Sequence, residues 1–476
     1  MRPPAEPADT GTDEQRARAT NVRRLALYGG PMLALVTALL MQQQGWASPA
    51  LWTGAITVLC IVWWLFEPIP IPATSLIPIA VFPLAGALSQ KDVSSAYGND
   101  LILLLLGGFI LSSAMERSGA HRRIALGMVR LVGGQSSRRI VFGFLIACAA
   151  VSMWISNAAT AFMMLPVALA IIERANDKQL AAPLMLAIAY GANIGGIGTP
   201  IGTPPNLVFM QAYAHATGRA VGFIEWMSWS MPIIFVLLPL TGMWLTRHLT
   251  HQGELVIPHP GQWRPDEARV LTVFALTAAA WITRTEPFGG WSELLGMTGA
   301  TDAAVALTAV VLLFIIPNGR GGALLDWKTA ESVPWGILLL FAGGITIASA
   351  FTSSGISAAL GELLSGMADL PLLLLIAIIA FSVIALTETT SNTATATLLM
   401  PILAAAAVGA QIDPKLLMLP AVFAASLGFM LPVGTAPNAI VFGSGKVPMM
   451  RMVREGLVID CISAVVITVV CYVLLS

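Results

Sequence analysis

Charged side chains are scarce in this sequence. Of its 476 residues, 25 are basic and 25 are acidic, so that 11% are charged and the formal net charge is zero. A soluble domain carries about 25% charged residues, whereas here 57% of the residues are hydrophobic. This composition predicts an all-α polytopic membrane protein. The balanced charge argues against nucleic acid as a partner.

Histidine and cysteine are also rare, with five and four residues respectively. The histidines lie at the ends of apolar runs or in loops, so no metal or catalytic histidine cluster is expected. Paired acids and a Ser–His arrangement are missing from the apolar runs as well. We therefore predict neither a catalytic residue nor a cofactor, and no intramembrane enzyme. The cysteines all lie in apolar runs and are expected to be buried thiols rather than disulfides or metal ligands: Cys60, Cys148, Cys461 and Cys471.

Apolar runs of roughly 17–25 residues mark the membrane spans. Residues 1–24 form a polar, arginine-bearing tail without the apolar core of a signal peptide, so the first span is expected to act as the anchor. Residues 119–131 form an amphipathic segment expected at the membrane interface. Nine uninterrupted spans are predicted, at 25–42, 50–66, 71–88, 100–117, 229–247, 268–284, 301–316, 334–352 and 456–475.

Four further apolar segments are interrupted by polar or helix-breaking residues. Two of them, 138–173 and 370–408, are broken at Ser-Asn pairs and are long enough for either two spans or one re-entrant hairpin. Their polar tips favour hairpins. The other two, 182–213 and 414–445, are predicted to be single spans broken at 195–205 and 432–438. The prediction is therefore about eleven transmembrane helices plus two re-entrant hairpins.

The basic residues set the predicted orientation. With the N-terminus in the cytoplasm and both hairpins re-entrant, 21 of the 25 basic residues lie on the inside. Such a bias is what the positive-inside rule expects of a correct topology. The C-terminus is then external, and the chain is expected in the cell's inner (plasma) membrane. The basic residues left outside are Lys91, Arg219, Arg284 and Lys415.

The second half of the chain repeats motifs of the first half in the same order. In the predicted topology the matching spans run in opposite directions, so the repeats are inverted, as in many secondary transporters. The offsets are 236, 235 and 232 residues. The matched pairs are L-L-L-G-G-F-I-L-S-S-A-M-E-R-S-G (104–119) with L-F-A-G-G-I-T-I-A-S-A-F-T-S-S-G (340–355), S-N-A-A-T-A-F-M-M-L-P (156–166) with S-N-T-A-T-A-T-L-L-M-P (391–401), and G-T-P-P-N (202–206) with G-T-A-P-N (434–438).

These breaks carry oxygen atoms of the kind that bind sodium. A hairpin tip frees backbone carbonyls, and proline forces the residue before it off helical geometry. Free carbonyls in hydrocarbon are tolerated where they line a cavity. The alternative is ordinary hydrogen bonding between packed helices. Duplication favours two cation sites, one at Ser152, Ser156, Asn157 and Gly202, the other at Thr387, Ser391, Asn392 and Gly434.

The same geometry predicts an anion between the two tips. Half-helices that start at the tips direct their positive ends towards the centre. The amides of Asn157 and Asn392 and the hydroxyls of Thr393 and Thr435 can donate to carboxylate oxygens. No Lys, Arg or His lies in either tip or either broken loop, so bound cations must neutralise the anion. Glu388 lies inside the second hairpin and could serve proton or charge coupling or a capped structural role.

Together these motifs resemble those of the divalent anion/sodium symporters, the INDY-like di- and tricarboxylate transporters. The resemblance covers most of the chain. It rests on W-W-L-F-E-P-I-P-I-P-A-T (63–74), both Ser-Asn motifs, N-I-G-G-I-G-T-P-I-G-T-P-P-N (193–206) and L-P-V-G-T-A-P-N (431–438). It implies a homodimer in membrane lipid, in which a transport domain slides against a scaffold like an elevator. The scaffold would comprise 25–131 and 268–368, and the transport domain 138–249 and 370–476.

The resemblance also implies roles for particular residues. The two sodium sites would use the residue sets already given. The substrate would contact Asn157, Asn392, Thr393 and Thr435, with Ala158 and Thr203 beside them. The family's usual motif is Ser-Asn-Thr in both halves, whereas Ala158 stands in the first. A hydroxyl expected at one carboxylate is therefore missing, and a larger carboxylate or another anion could use the space.

The function that follows is sodium-coupled import of di- or tricarboxylates of the succinate, malate and fumarate class. Two alternatives stay open within the class: a sodium-independent anion exchanger, and a transporter of another anion such as sulfate. A channel is disfavoured because duplicated hairpins predict a closed central site.

Overall fold

The computed structural model describes residues 13–132, 136–175, 179–249, 261–285, 289–364 and 370–476. Within these ranges every regular element is a helix, and an isolated bridge pairs Pro317 with Ala323. The prediction of an all-helical membrane protein is confirmed. Eight helices are long and apolar enough to cross a membrane, and five shorter apolar helices accompany them.

The helices are numbered in chain order. Those of the first half are α1 (Asp13–Gln43), α2 (Ser48–Phe66), α3 (Ile71–Leu84), α4 (Gln90–Tyr97), α5 (Asp100–Ser118), α6 (Ala120–Val132), α7 (Ser137–Ser152), α8 (Asn157–Arg174), α9 (Ala181–Gly196), α10 (Pro204–Thr217) and α11 (Phe223–Thr246). Those of the second half are α12 (Pro265–Ile282), α13 (Gly290–Leu294), α14 (Asp302–Ile315), α15 (Trp327–Ala330), α16 (Trp335–Ser354), α17 (Ile356–Leu364), α18 (Leu372–Thr387), α19 (Asn392–Gly409), α20 (Lys415–Ser426), α21 (Ala436–Gly443) and α22 (Met449–Leu475).

The uninterrupted spans correspond to helices that begin and end within a few residues of the predictions, with three exceptions. Helix α1 begins at Asp13, so it includes much of the stretch predicted as a polar tail, whose first twelve residues lie outside the described ranges. Helices α11 and α22 begin at Phe223 and Met449, six and seven residues before the predicted spans. The short helices α4, α13, α15 and α17 were not predicted.

All four predicted interruptions are present. Helix α7 ends at Ser152 and α8 begins at Asn157, while α18 ends at Thr387 and α19 begins at Asn392. The break between α9 and α10 covers 197–203, close to the prediction. The break between α20 and α21 covers 427–435, earlier than the predicted 432–438. Pro437 lies in the first turn of α21, where proline is well tolerated, so it starts a helix rather than interrupting one.

Glycines allow the closest helix contacts. A Cβ atom on Gly195 of α9 would overlap the backbone of Ala149 in α7, so these two helices meet backbone to backbone. The matched glycines of the repeat behave alike: Gly107 faces Ala306, and Gly343 faces the carbonyl of Ser75. Small residues at such crossings are how membrane helices gain packing contacts.

One sequence expectation needs correction. Cys60, Cys148 and Cys471 are buried free thiols, but Cys461 is exposed on the surface of α22. The placement of α6 at the membrane interface stays a prediction; the structure shows that it packs on α12, since Arg123 is 8% exposed and its Nε atom donates to Glu267 over 2.8 Å. That buried ion pair fixes α6 against the start of α12.

Candidate functional site

Both Ser-Asn tips and both helix breaks line a single cavity of about 420 Å³. Two predicted ligands, Ser152 and Thr387, lie behind its wall: their hydroxyls donate to the Oδ1 atoms of Asn157 and Asn392 over 2.7 and 2.8 Å. The remaining predicted site residues all line the cavity: Ser156, Asn157, Ala158, Gly202, Thr203, Ser391, Asn392, Thr393, Gly434 and Thr435. Residues separated by more than 200 positions in the chain are thus brought together.

Four helices begin at this cavity. Helices α8 and α19 start at the tips, and α10 and α21 start just after the two breaks. Each helix N-terminus carries roughly half a positive charge from the helix dipole, although α10 begins with Pro204 and Pro205, which have no N–H to donate. The sequence predicted the contribution of the two tips but not that of α10 and α21. Among the described residues that line the cavity, none is Lys, Arg or His, and the one charged residue is Glu116.

The second half presents a group of converging oxygen atoms. The Oδ1 atom of Asn392 lies 3.0 Å from the carbonyl oxygen of Ala425, 3.3 Å from that of Gly434 and 2.8 Å from Thr387 Oγ1. No hydrogen atom can bridge Oδ1 to a carbonyl oxygen, so the first two contacts are repulsive as they stand. Two arrangements relieve the repulsion: the amide turns so that its nitrogen donates, or a small cation lies among the oxygens. Oxygens about 3–3.5 Å apart fit a hard cation bound at about 2.4 Å.

The first half has the corresponding parts. Asn157 Oδ1 faces Gly196 closely, and a Cβ atom on Gly202 would lie 2.5 Å from the Gly196 carbonyl oxygen and 3.1 Å from that of Met153. The Thr199 hydroxyl donates to the same Met153 carbonyl. Glycine is therefore required at position 202, where backbone oxygens from the hairpin and from the break approach each other.

Each break is held open by an asparagine at the end of its motif. The Nδ2 atom of Asn206 donates to the carbonyls of Gly196 and Thr199, over 2.9 and 2.7 Å. The matched Asn438 donates to the carbonyls of Gly428 and Leu431, over 3.2 and 3.1 Å. These pairs keep the 232-residue offset of the motifs. The sequence motifs contained both asparagines, but their function as supports for the loops was not predicted.

Glu388 also stabilises the second break, through hydrogen bonds to its backbone N–H groups. Its carboxylate accepts from the backbone N–H groups of Met430 and Leu431 over 2.9 and 2.7 Å. Asp460 of α22, which sequence reasoning missed, accepts from Phe429 N over 3.1 Å. Both acids are buried, at 3% and 6% exposure. Of the two roles considered for Glu388, this geometry matches the capped structural one, because the carboxylate satisfies backbone donors that the unwound loop leaves free.

The opposite wall of the cavity comes from helices outside the tips and breaks. It was not predicted, although the α5 segment belongs to a motif that marked the repeat. The wall residues are Gly108, Phe109, Ser112, Ser113 and Glu116 of α5, together with Ser332, Val333, Pro334 and Ile337 at the start of α16. Within the described part of the chain there is no group of three or more His, Cys, Asp or Glu residues suited to a metal ion.

Comparison with known proteins shows similarity over nearly the full length of the chain. A family model described as "Citrate transporter" matches residues 61–416. The "Sodium-dependent dicarboxylate transporter SdcS" of Staphylococcus aureus is 39% identical over 474 aligned positions, covering 94% of this chain and 90% of the relative. The protein of the same name from Staphylococcus saprophyticus is 38% identical, covering 97% and 93%.

Solved structures share the fold at much lower identity. The YdaH transporter of Alcanivorax borkumensis superposes with a TM-score of 0.58 at 14% identity, covering 83% of this chain and 87% of that one. MtrF of Neisseria gonorrhoeae gives a TM-score of 0.54 at 13% identity and covers 83% of each chain. These likenesses concern the architecture alone.

Proposed function

The chain belongs to the citrate transporter family and is a membrane transporter rather than an enzyme, and from that premise we propose that it imports di- or tricarboxylate anions together with sodium. The names of the two staphylococcal relatives favour sodium and dicarboxylates as the transported pair. One observation carries the proposal: four helix N-termini and two groups of oxygen atoms meet in one cavity without a basic side chain.

Two sodium ions would occupy the two groups of oxygens. In the first, Ser152, Ser156 and Asn157 act with Gly202. The second uses Thr387, Ser391, Asn392 and Gly434, where a cation would lie among Asn392 Oδ1 and the carbonyls of Ala425 and Gly434. A sodium ion here removes the repulsion between the oxygens and adds positive charge beside the anion.

The anion would lie between the tips. Its carboxylates meet the free N–H groups at the starts of α8 and α19, the positive ends of the α10 and α21 dipoles, the amides of Asn157 and Asn392, and the hydroxyls of Thr393 and Thr435. Because the protein supplies only dipoles and hydrogen bonds, the charge of a dianion is balanced by the two sodium ions. Binding of anion and cation is coupled for this reason.

Movement would follow the two-domain division expected from the family. The segments 138–249 and 370–476 form the transport domain, which carries both tips and both breaks, and 25–131 with 268–368 form the scaffold of a homodimer. The cavity extends to the exposed Glu116 near the end of α5, which the positive-inside rule assigns to the cytoplasm. This conformation is then the inward-facing one, with the N-terminus cytoplasmic and the C-terminus external.

Sodium dependence of uptake tests the proposal. In proteoliposomes without internal carboxylate, we expect inward succinate flux in sodium and none above background when choline replaces sodium. Because two sodium ions and a dianion are electroneutral, an imposed potential of 100 mV, worth about 2.3 kcal/mol per charge, should leave the initial rate unchanged. Equal flux in choline would overturn sodium coupling. Flux that requires internal carboxylate instead would identify an exchanger.

The Ala158 position gives a second test. The substitution Ala158→Thr adds a hydroxyl at the cavity wall, beside Asn157. A hydrogen bond to a charged group contributes about 1.5–3 kcal/mol, so we expect the KM for succinate to fall about tenfold or more. The matched control is Ala159→Thr, at the next residue of α8, which does not line the cavity. An unchanged KM in Ala158→Thr would rule out a carboxylate at this point.

A further inference from the structure

Thr435 has a hydroxyl whose direction is fixed by its neighbours. As the N-cap of α21, its Oγ1 atom accepts from the backbone N–H of Asn438 over 3.2 Å. The same atom accepts from Asn193 Nδ2 over 3.0 Å. A hydroxyl oxygen has two acceptor positions and one donor hydrogen. Both acceptor positions of Thr435 are occupied, so its hydrogen must point away from both donors.

The hydroxyl hydrogen of Thr435 is free to point into the cavity. Thr435 is 8% exposed and lines the cavity, and among the described residues none accepts a hydrogen bond from it. A donor without a partner in the protein, directed at a cavity that lacks basic side chains, is suited to a carboxylate oxygen.

The buried side-chain amide of Asn193 is held in an orientation that costs free energy. It lies in α9, is 0% exposed, and its Nδ2 atom also lies 3.4 Å from both the Gly428 carbonyl and Asn438 Oδ1. With the nitrogen directed at these acceptors, its Oδ1 atom has no hydrogen-bond partner. An unsatisfied buried oxygen costs about 1–3 kcal/mol, which indicates that the donor end of the amide is the useful one.

The first half of the repeat lacks this device. Thr203, which matches Thr435, caps α10 without a side-chain hydrogen bond. The residue that matches Asn193 at the 232-residue offset is Ala425, which has no amide to donate. The first tip also has Ala158 where the second has Thr393. The hydroxyl oriented in this way therefore lies in the second half.

We propose that Asn193 is a positioning residue for substrate: it directs the Thr435 hydroxyl hydrogen at one carboxylate of the anion. This rests on the proposed function. One carboxylate is then held by directed donors of the second half, while the other meets the less constrained first half. The contact joins residues 242 positions apart. A residue of the first half thus orients a substrate-binding hydroxyl of the second half.

A double-mutant cycle tests this function. Succinate KM and maximal rate are measured in sodium for wild type, Asn193→Ala, Thr435→Val and the double variant. Each single substitution should raise KM about tenfold or more, the loss of one charge-assisted hydrogen bond, with the maximal rate largely kept. Since Asn193 acts through Thr435, the double variant should match Thr435→Val within about twofold. A multiplied effect, near a hundredfold, would overturn the proposal.

The matched control is Tyr190→Phe. Tyr190 lies one turn before Asn193 on α9, and its hydroxyl donates to the Phe429 carbonyl of the same loop over 3.1 Å rather than to Thr435. Its loss should lower thermal stability and leave KM within about twofold of wild type. A KM increase equal to that of Asn193→Ala would mean that support of the loop, not orientation of the hydroxyl, sets affinity, and would overturn the proposal.

Two provisions keep the outcome decisive. If Asn193→Ala does not fold, Asn193→Leu removes the donor while keeping the side-chain volume, and the same cycle applies. If wild type takes up no succinate, the proposed function fails for that anion. The double-mutant cycle is then measured by the rise in unfolding temperature that citrate causes in sodium. If citrate stabilises wild type but stabilises neither single variant, and the double variant loses nothing more, the orientation of Thr435 by Asn193 is supported. If citrate does not stabilise wild type either, both the proposed function and the orientation are overturned.

Discussion

Replacing Asn392 by alanine is expected to abolish sodium-dependent succinate uptake. In the proposed site this side chain gives one oxygen to the second sodium ion, at the point where it meets the Ala425 and Gly434 carbonyls. Its amide also faces the anion. Interactions with charged groups contribute about 1.5–3 kcal/mol each, so losing both lowers affinity by a factor of about 10² to 10⁴. Proteoliposome uptake at fixed succinate, with purified protein verified by size-exclusion chromatography, measures the effect.

The control for Asn392→Ala lies at the same hairpin tip. Thr389 is exposed, does not line the cavity, and its hydroxyl donates to the Leu386 carbonyl over 3.1 Å. Thr389→Ala removes a polar side chain from the tip without touching the site, so near wild-type uptake is expected. Asn157→Ala should resemble Asn392→Ala, because Asn157 has the corresponding position in the first half. Wild-type rates in either asparagine variant would refute the site assignment.

The residues that the sequence identified best are those whose chemistry is local. A lone Ser-Asn pair in an apolar run can also lie within a packed helix, and it was the repetition of the pair at a constant offset that predicted two helix breaks. The tips at Asn157 and Asn392 begin helices as expected. The prolines were harder to interpret. Pro204 and Pro437 lie in the first turns of α10 and α21, so each break precedes its proline, and the second break began earlier than predicted.

The remaining parts of the site depend on contacts between distant segments. Asn193 meets Thr435 across 242 positions, and Asp460 meets Phe429 across 31. Neither residue is unusual in its local sequence, since an asparagine or a single acid in a membrane helix has many possible partners. The α5 and α16 wall of the cavity was missed for the same reason. A glycine-rich motif indicates close packing, but not which face borders a cavity.

The dependence of anion binding on cations is the central claim. The cavity holds four helix N-termini and no basic side chain among its described lining residues, so a dianion in it needs sodium. A ligand present at 100 times its Kd stabilises a folded protein by about 2.7 kcal/mol. The most direct measurement is the thermal unfolding of purified protein with and without succinate, in sodium and in choline at equal ionic strength. We expect succinate to raise the unfolding temperature in sodium and to have no effect in choline; an equal rise in both salts would contradict the account.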